Sequence, residues 1–164
     1  MELLTYKLIL SFERRNFNMN IHSLKSDINN FHSWYHKLIF LVNRNENLHT
    51  TIPLLDEYKK VNVNRVLSEN LVSLPKQKYP MYVEDILMQS LEDNEGVYIL
   101  QHIDILFDPV LQIHPIRLLE NLSKTYPLIV EWPGRYVDGQ LIYAEFGHPE
   151  YFICQDFEGK VYIK

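Results

Sequence analysis

The sequence predicts a three-layer α/β sandwich, a mostly parallel sheet with helices on both faces that ends in an antiparallel hairpin extension. Three observations predict it. Leu38 to Val42, Val97 to Leu100 and Leu128 to Trp132 are short runs, apolar at nearly every position, as strands covered on both faces are. Segments of helical periodicity separate them, and strands alternating with helices build parallel βαβ units. Beyond residue 134 the chain changes to Tyr-, Ile- and Phe-rich runs broken by Asp138-Gly139 and Glu158-Gly159, which is the turn chemistry of hairpins.

Each element has its own signal. Ile21 to Tyr35 puts Ile21, Leu24, Ile28, Phe31 and Tyr35 on one helical face ahead of the first strand. Thr50 to Lys60 is expected to be helical, with Thr50 or Thr51 as N-cap. Val61 to Asn64 alternates like a short strand, and Leu67, Leu71 and Leu74 mark a helix stopped by Pro75. A helix over Pro80 to Leu91 would bury Val83, Ile86, Leu87 and Leu91, and Asn94 to Gly96 ends it. The last helix, Ile113 to Ser123, carries Pro115 in its first turn, where a missing N–H is harmless.

Composition bounds the function. The chain has 164 residues, 46% of them apolar, enough for one sizeable core. No apolar run is long enough to span a membrane and the start lacks a secretory cleavage pattern, so a cytoplasmic protein is expected. The single cysteine, Cys154, leaves no internal disulfide, and the net charge of −5 argues against a broadly basic nucleic-acid surface. Arg14-Arg15 can be encoded by a ribosome-binding sequence just before Met19. Residues 1–18 are therefore read as an N-terminal extension preceding an alternative start, and 19–164 as the domain.

The turn after the first strand carries the functional signal. A strand, a loop G-x-x-x-x-G-K-[ST] and a helix together cradle phosphate on backbone N–H groups. Asn43 to Thr50 has that length and ends in the right hydroxyl, but Asn43, Leu48 and His49 stand where two glycines and the lysine belong. Asn43 and Asn47 tolerate left-handed backbone. Leu48 brings a branched side chain where phosphate oxygens would lie, and His49, with an ordinary pKa of about 6.5, is mostly neutral and short. The partner half of a magnesium-nucleotide site is an acid ending a buried strand. Here that strand ends in Gln101, and the next carboxylate is Asp104. The expectation is a P-loop NTPase-like fold with a degenerate nucleotide loop (Asn43, Asn47, Leu48, His49, Thr50) and a degenerate acidic strand (Gln101, Asp104). No catalytic residue, metal or cofactor is expected, ATP with magnesium being disfavoured.

Other polar residues read as structural. His148, between Gly147 and Pro149, is a turn residue, and His102 and Asp104 lack a third ligand at metal spacing. His32, Trp34, Tyr35 and His36 read as a helix end packing its aromatics on the sheet. Asp108-Pro109 is a turn, and Cys154 a core residue.

Three stretches together, LQHIDILFDPVLQIHPIRLLENLS (Leu100 to Ser123), IVEWPG (Ile129 to Gly134) and LIYAEFGHPEY (Leu141 to Tyr151), resemble BrxF, the small P-loop protein of type 3 BREX phage-exclusion systems. The most specific pieces are Asp104 to Pro109 and Gly147 to Tyr151, and the likeness extends over about Lys37 to Tyr151. The resemblance implies a subunit of a multi-gene bacterial antiphage defence system with an AAA-like ATPase fold. The family keeps the P-loop glycines, lysine and strand-ending aspartate; this chain departs from it at Asn43, Leu48, His49 and Gln101.

The expected function is thus a non-catalytic P-loop-like scaffold that contacts other defence-system proteins, with homo-oligomerisation as a further expectation. Two alternatives stay open. One is an atypical nucleotide-binding switch or NTPase completed by a partner subunit. The other is a nucleic-acid-binding adaptor using Arg14, Arg15, Lys25, Lys37 and Arg44.

Overall fold

A computed structural model describes residues 19–45 and 51–164. Residues 1–18 and the loop positions Asn47, Leu48, His49 and Thr50 lie outside the described residues.

The first and third of the apolar runs form strands with the expected bounds, β1 (Leu38–Val42) and β4 (Leu128–Trp132), and the second forms β3 (Tyr98–Gln101). They are neighbours, in register and parallel: Leu38 pairs with Leu128, and Tyr98 with the same Leu128 from the other side. β2 (Lys59–Asn62) extends the sheet beyond β3, and β8 (Lys160–Ile163) extends it beyond β1, giving the order β2-β3-β4-β1-β8, parallel throughout. Every residue of β1 is buried, as a strand with layers on both faces requires.

Alternation along the central strands assigns the two faces. Ile39, Leu41, Ile99 and Ile129 meet α1 (Ile21–Asn29), a 3-10 turn at Phe31–Ser33, and Ile52 and Leu55. Leu38, Phe40, Val42, Leu100, Leu128 and Val130 meet α2 (Val63–Leu71), α3 (Tyr79–Ser90) and α4 (Pro115–Thr125). The second face also carries a small antiparallel sheet, β5 (Arg135–Val137), β6 (Gln140–Tyr143) and β7 (Phe152–Cys154). Asp138 and Gly139, both at positive φ, make the β5–β6 turn as their sequence demands.

Four expectations are corrected. The first helix stops at Asn29 rather than reaching Tyr35, because Asn30 turns its amide onto the Ser26 carbonyl at 2.8 Å and the chain tightens to bring Phe31 inward. Tyr35 is left 73% exposed. The helix expected over Thr50 to Lys60 does not form in the described part. Ile52 precedes Pro53 and is held extended at φ −116°, ψ 104°. A single 3-10 turn, Pro53–Leu55, then inserts Ile52 and Leu55 into the core before β2 begins. The strand expected at Val61 to Asn64 ends at Asn62, whose side chain accepts from Arg65 N at 2.9 Å and starts α2 four residues ahead of Leu67. Lastly, Glu158-Gly159 is not a hairpin turn. Glu158 N–H donates to the buried carboxylate of Glu120 at 2.9 Å, and Gly159, at φ 100°, lies so close to the Leu38 carbonyl that a side chain would not fit. This contact delivers Lys160 beside Ile39, and β8 enters the parallel sheet.

Among the described residues no helix is long and apolar enough to cross a membrane, and no three His, Cys, Asp or Glu side chains group as a metal site.

Candidate functional site

The sheet order locates the site. The chain leaves β1 across the α1 face to reach β2 at one edge, while β2, β3 and β4 all exit across the opposite face towards the other edge. Opposite directions over opposite faces keep one crossover hand. They also leave a crevice at the C-terminal ends of β1, β3 and β4, where open α/β sheets bind ligands. A cleft of about 220 Å³ lies there.

Its walls are apolar, with Leu41 and Ile99 from the sheet, Ile52 and Leu55 from the segment before β2, and Trp132 from the end of β4. Its polar groups come from four strand ends. Gln101 Nε2, at the end of β3, donates to Glu131 Oε2 at 3.1 Å. Lys164, just beyond β8, has a side chain only 9% exposed, and its Nζ lies 3.7 Å from Glu131 Oε1. The backbone holds Lys164 in place: its N–H donates to Val42 O and its carbonyl accepts from Arg44 N, both at 2.8 Å. Asn43, after β1, has an Oδ1 shut off from solvent with no hydrogen-bond partner among the described residues. At the mouth, Lys60 Nζ donates to Asp56 at 3.2 Å.

Of the residues singled out by sequence, Asn43 and Gln101 come together in this cleft. Asp104 does not line it. It sits in the 3-10 turn Ile103–Phe107 and acts on Tyr143, whose phenol is pushed up to about 12 by burial first, then by Glu150 and Asp104. His102, at φ 53°, uses its carbonyl to accept from Asn64 N at 3.0 Å and so ties β3 to α2. His148 Nδ1 accepts from Glu150 N at 3.1 Å, closing a local turn. Cys154 is half-buried, its thiol pushed up by burial and donating to Asp156 O at 3.3 Å.

Glu131 and Lys164 are the site residues that sequence reasoning passed over. Glu131 was visible as the one charge inside the run Leu-Ile-Val-Glu-Trp. Its partner Lys164 could be found only by knowing that β8 lies beside β1.

The described lining sets a carboxylate, an amide and a lysine at the strand ends. A phosphate in the cleft would face the Glu131 carboxylate, and the amide at the end of β3 is already committed to that carboxylate. Among the described residues no α-helix lies between β1 and β2, and residues 46–50 of that connection lie outside them. The described arrangement offers a carboxylate partly neutralised by Lys164, an amide and apolar walls.

No protein-family model, no curated protein and no solved structure matches this chain.

Proposed function

We propose that the chain is a non-catalytic, P-loop-like subunit of a bacterial antiphage defence system that works by protein contact. The observation that carries the reading is the described part of the connection between β1 and β2, where Pro53–Leu55 forms a single 3-10 turn anchored in the core by Ile52 and Leu55. The sheet order supports the P-loop-like half of the reading. One strand, β4, stands between β1, which leads into the nucleotide-type loop, and β3, which ends in Gln101, so the loop and the acidic-strand equivalent open on one crevice.

The segments that resemble the defence family support the other half. Asp104 to Pro109 and Gly147 to Tyr151 are far apart in sequence yet share one surface. Phe107 stacks on Tyr143 at 4.0 Å and meets Phe152 edge-on at 5.4 Å, while Leu106 to Pro109 and Pro149 to Phe152 line a common hollow. That the most specific of the resembling pieces share a patch outside the cleft suits a contact role.

Phage plating on cells carrying the full defence locus tests this. Deleting the gene should abolish exclusion, while His49→Ala, Thr50→Ala and Gln101→Ala should each leave it intact. Loss of exclusion in the Thr50→Ala strain, with the protein still at normal abundance, would overturn the non-catalytic reading. Unchanged exclusion in the deletion would overturn the defence reading.

A further inference from the structure

We propose that the aromatic hollow lined by Leu106 to Pro109 and Pro149 to Phe152 receives an arginine side chain from a partner protein, its guanidinium paired with the carboxylates of Asp108 and Glu150. This rests on the contact-based reading above and names the partner's chemistry. Phage plating judges that reading and ligand titration judges this one, so either can fail alone.

The hollow suits a side chain with an apolar stem. It holds about 250 Å³, and Phe107, Pro109, Pro149, Tyr151 and Phe152 supply apolar wall. That wall is already set. The Phe107 ring lies 4.0 Å from Tyr143, and Phe152 meets Phe107 at 5.4 Å and the exposed His114 ring at 5.3 Å. A pocket formed in advance costs little to order on binding. The methylenes of an arginine cover apolar surface and its flat head stacks on ring faces, which the compact ammonium of lysine does less well.

The charge of the hollow is uncompensated. Asp108 and Glu150 are half-buried in its lining. Asp108 Oδ1 accepts from Val110 N at 2.9 Å, and Glu150 Oε2 from the Tyr143 phenol at a long 3.4 Å. Neither carboxylate forms an ion pair with a lysine or arginine among the described residues. Asp27, Glu120 and Glu131, also drawn in from solvent, each have one: Lys160 at 2.7 Å, Arg117 at 2.7 Å and Lys164 at 3.7 Å. A carboxylate taken partly out of water calls for a cation, and at the hollow no described residue supplies it. The Tyr143 phenol beneath feels the same field, pushed up first by burial and then by Glu150 and Asp104.

A protein is the natural carrier of this cation. One side chain in one shallow hollow binds weakly, so further contacts of the partner must add to it. The net charge of −5 also favours approach of a basic partner. The arginine then serves as the anchor, the residue type that dominates many interfaces together with the large aromatics.

Amide NMR of the full chain, titrated with N-acetyl-arginine amide, tests this. Shifts should saturate at Val110, Gln112, Glu150 and Phe152 with a Kd of about 1–10 mM. N-acetyl-lysine amide should bind about threefold more weakly, and N-acetyl-citrulline amide, which keeps the shape and loses the charge, should not saturate. The double variant Asp108→Asn/Glu150→Gln keeps the local hydrogen bonds and should lose about tenfold in affinity with unchanged circular dichroism. Asp85→Asn/Asp138→Asn removes the same charge at exposed positions elsewhere and should bind as wild type. Absence of saturable shifts at the hollow, as when another segment covers it, overturns the proposal. So does citrulline or lysine binding as tightly as arginine, or arginine binding that survives the Asp108→Asn/Glu150→Gln change or falls equally in the Asp85→Asn/Asp138→Asn control.

Discussion

Gln101 and Glu131, thirty residues apart in sequence, meet across β3 and β4 as donor and acceptor at 3.1 Å, at the point where a nucleotide-hydrolysing sheet would present a carboxylate to magnesium. An amide is the right partner for a half-buried carboxylate that Lys164 only partly neutralises. Gln101→Asp would put a second carboxylate there, and like charges at that distance raise the pKa of the pair in the folded state. A raised folded pKa means stability is lost as pH rises. The variant should match the parent near pH 4 and fall about 1–2 kcal/mol below it near pH 7.5 in urea unfolding. It should not gain ATPase activity.

Tyr143 ties the two family-like segments together, donating to Glu150 Oε2 at 3.4 Å while feeling Asp104. Its phenol, pushed up to about 12, stays protonated well above an ordinary tyrosine at about 10. The associated stability is present below pH 10 and lost as pH climbs towards 12. Ultraviolet titration at alkaline pH should show this late ionisation, and Glu150→Gln should bring it down.

Asp27 clamps α1 to β8. It accepts from Tyr162 Oη at 2.6 Å and from Lys160 Nζ at 2.7 and 2.8 Å, and Tyr162 is held above the usual tyrosine range by burial and then by this bond. Asp27→Ala should cost about 2 kcal/mol, with Asp27→Asn milder, because hydrogen bonds to a charged acceptor are the strong ones. Denaturant midpoints for the two variants check the order.

Gly134 follows β4, and a Cβ there would collide with the Ile142 carbonyl oxygen, the same oxygen that accepts from Trp132 Nε1 at 3.0 Å. Gly134→Ala should therefore cost about 3 kcal/mol or more. Gly139→Ala meets open space and bears only the strain of its φ of 80°, about 1 kcal/mol. Thermal melts of the pair should differ by several degrees.

The legible part of this fold was its centre. Leu38–Val42 and Leu128–Trp132 could be read directly because a strand buried on both faces has no polar phase to misplace. The edges were not legible. Val161 and Tyr162 beside Glu158-Gly159 look like a hairpin arm, and only Glu120, nearly forty residues earlier, turns them into a parallel strand. Thr50 to Lys60 has the caps and apolar spacing of a helix, yet Pro53 and the burial of Ile52 and Leu55 override propensity. The site was half legible for the same reason. Asn43 and Gln101 follow central strands, whereas Lys164 reaches the cleft through an edge strand placed by tertiary contact.

Calorimetric titration of the full chain with magnesium-ATP bears most directly on the non-catalytic reading. No binding heat is expected up to about 1 mM nucleotide, because the cleft carries the Glu131 carboxylate and no α-helix follows β1 among the described residues before β2. Micromolar binding that disappears in the Thr50→Ala variant would contradict it and assign the cleft to nucleotide after all.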